Sequence, residues 1–236
     1  MLLNNMVTRT ITFSEGEHYH VYNRGNSKQK IFLSQSDFDR FIQLLYLSNT
    51  TARFNVRDVL KTHNSVFEIH KPDSLVELHA VCLMPNHFHL IVTPLDENGL
   101  SRFMLKLATA YSMFFNTKYK RTGSLFESRF KAKNIDEDRY LKYLFSYIHM
   151  NPLSLISIEK KTKHEQFKFL YTYPHSSLSS YVNQNSLSPR AALGLSELDK
   201  VVDTKLFEMY FEDKKKVEEE LFNWITFDDE PALGLP

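Results

Sequence analysis

The sequence predicts an α+β protein in which an antiparallel four-stranded sheet is packed against helices. Two observations predict it. In some segments apolar or aromatic residues alternate with polar ones, as in a half-buried strand, whereas other segments carry apolar residues at the spacing of an amphipathic helix. These segments follow one another in the order strand, helix, strand, strand, helix, strand, helix. The first six match the ferredoxin-like βαββαβ pattern, so the last helix is an addition to it.

The first strand and the first helix lie near the start of the chain. Residues 18–23 alternate with aromatic and β-branched side chains, which predicts a strand. A helix with apolar residues at helical spacing follows, capped by Ser36 or Asp37. Residues 50–74 show no clear period, so we interpret them as an insertion with one short helix over 56–60.

The second and third strands form a predicted hairpin. Residues 75–83 are a largely apolar strand, and the turn at 84–86 contains Pro-Asn. Alternate side chains of a strand share a face, so His87 and His89 lie together and Phe88 lies on the other side. Two imidazoles about 7 Å apart along a strand can bind one divalent cation. A pair of half-buried histidines with no ligand is the alternative.

The remaining elements complete the pattern. A second helix begins at Gly99 or Ser101, and residues 124–134 alternate as a fourth strand. Asp136 is the predicted cap of the added helix, which ends near Met150. The hairpin strand with the two histidines is then central in the sheet.

The added helix supplies two residues that suit phosphodiester chemistry. Tyr147 and Asn151 are four apart and share a helix face. An asparagine oxygen can be a third metal ligand, and a tyrosine oxygen can act as a nucleophile that forms a covalent intermediate. The rival interpretation is packing, since Tyr140, Tyr143 and Tyr147 have the spacing of a core stripe and Asn151 precedes Pro152.

The charge is divided unevenly along the chain. Residues 98–134 hold eight bases and one acid, a local charge of +7, whereas residues 197–236 hold twelve acids and five bases, a charge of −7. Such asymmetry suggests a polyanionic partner for the basic part, although a solvated face is the common alternative. The bases of the first segment are candidate nucleic-acid contacts: Arg102, Lys106, Lys118, Lys120, Arg121, Arg129, Lys131 and Lys133.

We expect three parts in the 236 residues: an arm over 1–17, a domain over 18–152, and an extension over 153–236 that wraps the domain and is mostly helical and acidic from about 197. The single cysteine excludes an internal disulfide and indicates a reducing compartment. No secretory signal pattern and no run of about 18 apolar residues is present. We therefore expect a soluble, cytoplasmic protein.

Two segments resemble a known family. Met84-Pro85-Asn86-His87-Phe88-His89-Leu90 and Tyr147-Ile148-His149-Met150-Asn151-Pro152 resemble motifs of the single-tyrosine HUH transposases, and more narrowly of the REP-associated tyrosine transposases of bacteria. The resemblance runs from about residue 18 to 182. Further matching segments are Tyr19-His20-Val21-Tyr22-Asn23-Arg24-Gly25, Arg121-Thr122-Gly123-Ser124-Leu125-Phe126 and Ser128-Arg129-Phe130-Lys131.

The resemblance implies a function for each of these positions. It implies a ferredoxin-like catalytic domain over 18–152, in which His87, His89 and Asn151 bind Mg²⁺ or Mn²⁺ and Tyr147 is the nucleophile. Similar enzymes cut single-stranded DNA beside hairpins of REP-like palindromes, leaving a 5′-phosphotyrosine and a free 3′-OH, and rejoin it. The resemblance also adds Arg24 to the candidate DNA contacts. Insertion-sequence relatives are dimers and REP-associated relatives act as monomers, and the additional tail of this chain favours a monomer.

The sequence departs from the family in places and leaves alternatives open. Many relatives carry Trp-Ser-Ser-Tyr after the tyrosine helix, whereas the serines within residues 173–181 here have no tryptophan. One alternative is a domesticated, non-catalytic binder of structured single-stranded nucleic acid. Another is a metal-dependent hydrolase that activates water and never links to DNA.

Overall fold

The structure is a computed structural model that describes residues 12–182, 196–213 and 216–225. Most of the predicted arm and the end of the tail lie outside these residues. The strands are β1 His18–Arg24, β2 Val76–Met84, β3 His87–Pro94 and β4 Lys131–Ile135. The helices are α1 Gln35–Ser48, α2 Val56–Val59, α3 Gly99–Lys118, α4 Asp138–Met150, α5 Lys163–Thr172, α6 Leu178–Val182, α7 Lys205–Tyr210 and α8 Val217–Ile225. Short 3₁₀ turns cover Asn26–Lys28, Val66–Glu68, Asn151–Leu155, Ile158–Lys160 and Ser196–Lys200.

The four strands form one antiparallel sheet in the order β2-β3-β1-β4. This is the order of the split βαβ pattern, so the predicted ferredoxin-like fold is confirmed. The histidine strand β3 is central, between β2 and β1, as predicted. The insertion contains α2 and a 3₁₀ turn, close to the single short helix that was expected.

Both faces of the sheet are covered. On the first face, α1 and α3 pack against a core that includes Phe88 and Leu90 of β3. On the second face, α4 and the C-terminal extension pack against a separate cluster that includes Cys82 and Ile91. Since side chains alternate along a strand, the second face is also the face of the two histidines. The added helix therefore lies over the candidate ligands.

The extension holds α4 in place. Phe207 and Phe211 pack edge-on against Phe145 of α4, with ring centroids 5.3 and 6.1 Å away. His149 is buried, and its ring contacts the carbonyl of Phe145 at 2.7 Å and Ser177 Oγ at 3.1 Å. The described part of the extension is thus a layer of the core.

The extension also covers one edge of the sheet. Backbone hydrogen bonds join β2 to the segment around His175 and to Asp203, whose N–H donates to Leu78 O at 2.7 Å. The N–H of Leu83 donates to His175 O at 2.8 Å. At the other end of the sheet, β4 is the last strand that the structure describes.

Among the described residues, no helix combines the length and the apolar content needed to cross a bilayer.

Three predicted boundaries were wrong. The N-terminal cap of α1 is Ser34 rather than Ser36 or Asp37, because Asp37 is the third helical residue and its carboxylate accepts from the N–H of Ser34 at 2.9 Å. The fourth strand covers Lys131–Ile135 rather than 124–134, because residues 124–130 form isolated backbone contacts with the end of β1 and with the residues just after it, such as the bridge between Gly25 and Phe126. The N-terminal cap of α4 is Glu137 rather than Asp136.

Candidate active site

The second face of the sheet carries the two histidines of β3. His87 lies opposite Arg24 of β1, and His89 lies opposite Tyr22. The two imidazole centroids are 5.0 Å apart with nearly perpendicular planes. His89 is fully buried, whereas His87 is partly exposed. Phe88 points to the other face and joins the first core.

Tyr147 approaches the histidines from α4. Its ring centroid lies 5.5 Å from that of His89, with the two planes nearly perpendicular. Leu144 and Ile148 of the same helix are completely buried in the second core, whereas Tyr147 is partly exposed. The burial of these neighbours places the phenol beside the imidazoles while part of its surface stays open to solvent.

Asn151 completes the group. It keeps helical backbone angles at the end of α4, where the chain continues as a 3₁₀ turn with Pro152 in its first positions. Its Oδ1 lies 3.3 Å from His87 Nε2, and its side chain also hydrogen-bonds Tyr147. The structure therefore brings together the four residues that the sequence singled out. We call His87, His89, Tyr147 and Asn151 the site cluster.

Burial sets the protonation of the site cluster. Desolvation lowers the pKa of His87, and it holds the pKa of His89 well below its usual value. Burial, with a contribution from Tyr143, raises the pKa of Tyr147 to about 12, although the hydrogen bond with Asn151 acts in the opposite direction. At neutral pH the cluster offers neutral imidazoles and a protonated phenol.

The donor atoms of the cluster fit a divalent cation. His87 Nδ1 lies 2.7 Å from Asn86 Oδ1, and an amide oxygen only accepts, so the imidazole proton is on Nδ1. Nε2 then carries a lone pair, yet it faces another acceptor, Asn151 Oδ1. The buried Nε2 of His89 has no hydrogen-bond partner among the described residues. An amide oxygen suits Mg²⁺ or Mn²⁺ and imidazoles suit transition metals, so this set favours Mn²⁺ of the two.

His20 is the neighbour that sequence reasoning left unassigned. It is buried on β1, and its Nε2 lies 3.0 Å from His89 Nδ1. Which residue of β3 it faces depends on a strand register that the sequence does not reveal. Even so, no three His, Cys, Asp or Glu side chains in the described part of the chain form a group that could hold a metal ion. His20 is thus adjacent to the candidate ligands, and its Nε2 contacts His89.

Three of the predicted DNA contacts flank the site cluster. Arg24 is the register partner of His87, and Lys131 and Lys133 of β4 project onto the same face of the sheet. Arg24 forms an ion pair with Glu127 at 2.9 Å, and Lys131 approaches the same carboxylate at 3.5 Å. Burial opposes the ionisation of Glu127, but its hydrogen bond to Arg24 and both positive charges lower its pKa overall. We call Arg24, Lys131 and Lys133 the basic rim. Glu127 therefore neutralises part of the positive charge of the basic rim.

The other predicted basic residues lie on α3 or between α3 and β4: Arg102, Lys106, Lys118, Lys120, Arg121 and Arg129. Because α3 packs on the first face, its basic side chains do not border the histidines. Lys118 pairs with the buried Asp37 at 2.5 Å, and Lys106 Nζ donates to the carbonyl of Ala52 at 2.7 Å. DNA binding by these six residues stays a prediction.

The fold and the site together define an α+β protein with a ferredoxin-like sheet and a histidine–tyrosine–asparagine cluster on one face. Residues 16–151 match the family model described as "Transposase IS200 like". The match covers more than half of the chain, and the chain belongs to the IS200-like transposase family. The family relationship indicated by the sequence motifs is confirmed at this level.

Two further comparisons complete the picture. A solved structure described as "Structure of the REP associates tyrosine transposase bound to a REP hairpin" is similar to this chain, with 18% sequence identity and a TM-score of 0.46. The similarity covers 77% of this chain and 88% of the other. No curated protein sequence matches this one.

Proposed function

We propose that this protein is a metal-dependent endonuclease and strand transferase for single-stranded DNA, in which Tyr147 attacks a phosphodiester beside a hairpin. The observation that carries the proposal is the convergence of Tyr147 on the histidines, 5.5 Å from His89 between ring centroids. A phenol, two neutral imidazoles and an amide oxygen meet on a face that is bordered by basic residues. Membership of a transposase family supports the same conclusion.

The proposed reaction is a transesterification at phosphorus, in which the Tyr147 oxygen replaces the 3′ oxygen. The Tyr147 oxygen bonds to phosphorus, the bond from phosphorus to the 3′ oxygen breaks, and that oxygen leaves as a 3′-OH while the 5′ phosphate stays on the tyrosine. The phenolic proton passes to solvent at the exposed side of Tyr147, and the departing 3′ oxygen takes up one proton from solvent, so the step is neutral in protons. The hydrogen bond with Asn151 lowers the phenol pKa, which burial raises. His87, His89 and Asn151 would hold a divalent cation, which supplies charge stabilisation at a non-bridging oxygen. The phosphotyrosine retains the phosphodiester free energy, so rejoining needs no external source.

The substrate proposal rests on charge and exposure. Arg24, Lys131 and Lys133 lie on the face of the histidines and suit a phosphate backbone. Tyr22, which is partly exposed on the same face, is suited to stacking against an unpaired base. We propose a single-stranded segment next to a hairpin as the DNA that reaches this surface.

We also propose that the protein acts as a monomer in the cytoplasm. The proposed nucleophile and the candidate ligands of the site cluster come from β3, from α4 and from the 3₁₀ turn after α4, all in the same chain, so the site needs no second subunit. The test measures two quantities over a range of protein concentrations: the oligomeric state with hairpin DNA, by analytical ultracentrifugation, and the yield of covalent adduct. Adduct formation that requires a dimer would contradict it.

A second candidate function is a non-catalytic binder of structured single-stranded nucleic acid. The observation that favours it is the raised pKa of Tyr147, about 12, which opposes the phenolate that attack requires. Tyr143 and Tyr147 also stack with nearly parallel rings 6.2 Å apart, as packing residues do. A binder of this kind would form no covalent adduct under any metal condition.

His87→Ala should reduce adduct formation by roughly 100-fold or more, since a cation bound at the site supplies several kcal/mol of charge stabilisation. The measurement is the yield of covalent protein–DNA adduct with Mn²⁺, and excess chelator should have the same effect on the unmodified protein. His18→Ala is the matched control, because His18 is on β1 and bonds Thr93 instead of the cluster. Equal yields in the His87 variant and the control would contradict the assignment of His87.

Glu127→Gln should strengthen DNA binding. The change removes the charge that pairs with Arg24 and Lys131 while keeping the side-chain size. We expect affinity to rise several-fold at low salt and the slope of log K against log salt to steepen by about one. Fluorescence anisotropy across a salt series measures both. Glu159→Gln, an exposed acid in the extension, should change neither, and an unaltered slope for Glu127→Gln would exclude phosphate contacts at this rim.

A further inference from the structure

A pair of buried histidines lies directly behind the candidate metal ligands. His20 and His89 are both completely buried, and His20 Nε2 is 3.0 Å from His89 Nδ1. The rings stack with planes 18° apart. Their other two nitrogens, His20 Nδ1 and His89 Nε2, have no hydrogen-bond partner among the described residues. The contact joins neighbouring strands, 69 residues apart in sequence.

The contact between the two nitrogens restricts the tautomers of the pair. Two nitrogens at 3.0 Å form a hydrogen bond only if one carries the proton and the other the lone pair. If His20 Nε2 donates, the proton of a neutral His89 is on Nε2, the atom that would meet a cation. If His89 Nδ1 donates, its Nε2 carries a lone pair. The second arrangement is the one that can bind metal.

We propose that His20 is a positioning residue that accepts the Nδ1 proton of His89 and so directs the Nε2 lone pair of His89 toward the cation. This inference rests on the proposed metal site. Metal-binding histidines usually donate their second ring nitrogen to an acceptor that fixes the tautomer and the ring orientation. The ring of Tyr22 stacks on His20 at 4.9 Å between centroids and limits its rotation.

The other candidate ligand has the same arrangement. His87 Nδ1 has its own acceptor, Asn86 Oδ1, at 2.7 Å. Each histidine of the site thus has a hydrogen-bond partner at Nδ1 and an Nε2 without a donor. One partner is adjacent in sequence, and the other, His20, is supplied by the neighbouring strand. Two independent partners at the same ring atom suit a common ligand atom, Nε2, better than two unrelated packing contacts do.

A paired substitution tests the inference. The amide of His20→Gln reaches the place of the Nε2 atom and retains an acceptor there, whereas the amide of His20→Asn is one methylene short. Mn²⁺ binding to the full-length protein without DNA is measured by electron paramagnetic resonance, together with the ¹⁴N couplings of coordinated imidazole. We expect His20→Asn to weaken Mn²⁺ binding by about 10–100-fold and to lose one imidazole coupling. His20→Gln should stay within a few-fold of the unmodified protein.

A matched control separates positioning from loss of a buried ring. His79 is also buried, and its Nε2 contacts Thr93 Oγ1 at 2.8 Å. His79→Asn should leave Mn²⁺ affinity and couplings unchanged, and thermal unfolding of each variant checks the fold. Unmodified affinity in His20→Asn, or equal weakening in folded His20→Gln and His20→Asn, would overturn the inference. Absence of imidazole coupling in the unmodified protein would instead overturn the metal site itself, and the inference with it.

Discussion

Tyr147→Phe should abolish the covalent adduct and leave DNA affinity within about twofold. The substitution removes only the phenolic oxygen, and the loss of a nucleophile typically costs at least about 10⁴-fold in rate. The ring keeps its edge contact with His89, so we expect the fold and the basic rim to be unchanged. The measurement is incubation with Mn²⁺ and hairpin DNA taken from beside the protein's own gene, read as a denaturant-resistant, slowly migrating species on a gel.

The neighbouring tyrosine provides the control for this experiment. Tyr143 belongs to the same stripe of α4, and its ring stacks on Tyr147 at 6.2 Å between centroids. Tyr143→Phe should retain the adduct. Cleavage that survives in Tyr147→Phe would identify a hydrolase that activates water, and an unmodified protein that binds the hairpin without an adduct would identify a binder. Each outcome selects one function.

Phe207→Ala should destabilise the whole domain by about 3–5 kcal/mol, a large fraction of the stability of an ordinary domain. Phe207 is almost completely buried, and it stacks on Tyr181 and Phe211 with ring centroids 4.1 and 4.5 Å away. It also packs against Phe145 of α4, so its loss leaves a cavity behind the helix that carries Tyr147. Urea unfolding followed by circular dichroism measures the change.

The same helix provides a control for Phe207. Met209 of α7 is 63% exposed, so Met209→Ala should change the free energy of unfolding by less than about 0.5 kcal/mol. A small effect of Phe207→Ala would mean that the extension is a removable appendage. A large loss of unfolding free energy would mean that the packing of the acidic part of the chain contributes to the stability of the domain, independently of its net charge.

The site could be predicted from the sequence wherever local periodicity decides the geometry. The strand period places His87 and His89 on one face of β3, and the helix period places Tyr147 and Asn151 on one face of the added helix. What the sequence could not show is that these two faces lie against each other. His20 could not be assigned, because its contact with His89 depends on how β1 pairs with β3. The split of the basic residues between two faces could not be predicted either, because it depends on α3 packing on the first face and on β4 pairing with β1 so that Lys131 and Lys133 lie on the second.

The two edge strands of the sheet, β2 and β4, are protected in different ways, and this affects the choice of substitutions in the basic rim. The extension covers β2 with backbone hydrogen bonds, whereas β4 carries Lys131 and Lys133. An open strand edge is a template for other chains, and lysines there discourage intermolecular pairing and aggregation. The lysines proposed to contact phosphate thus also discourage pairing of this edge with other chains. Charge reversal to glutamate is therefore preferable to alanine as a substitution, because it should weaken the proposed phosphate contacts and still leave the edge charged.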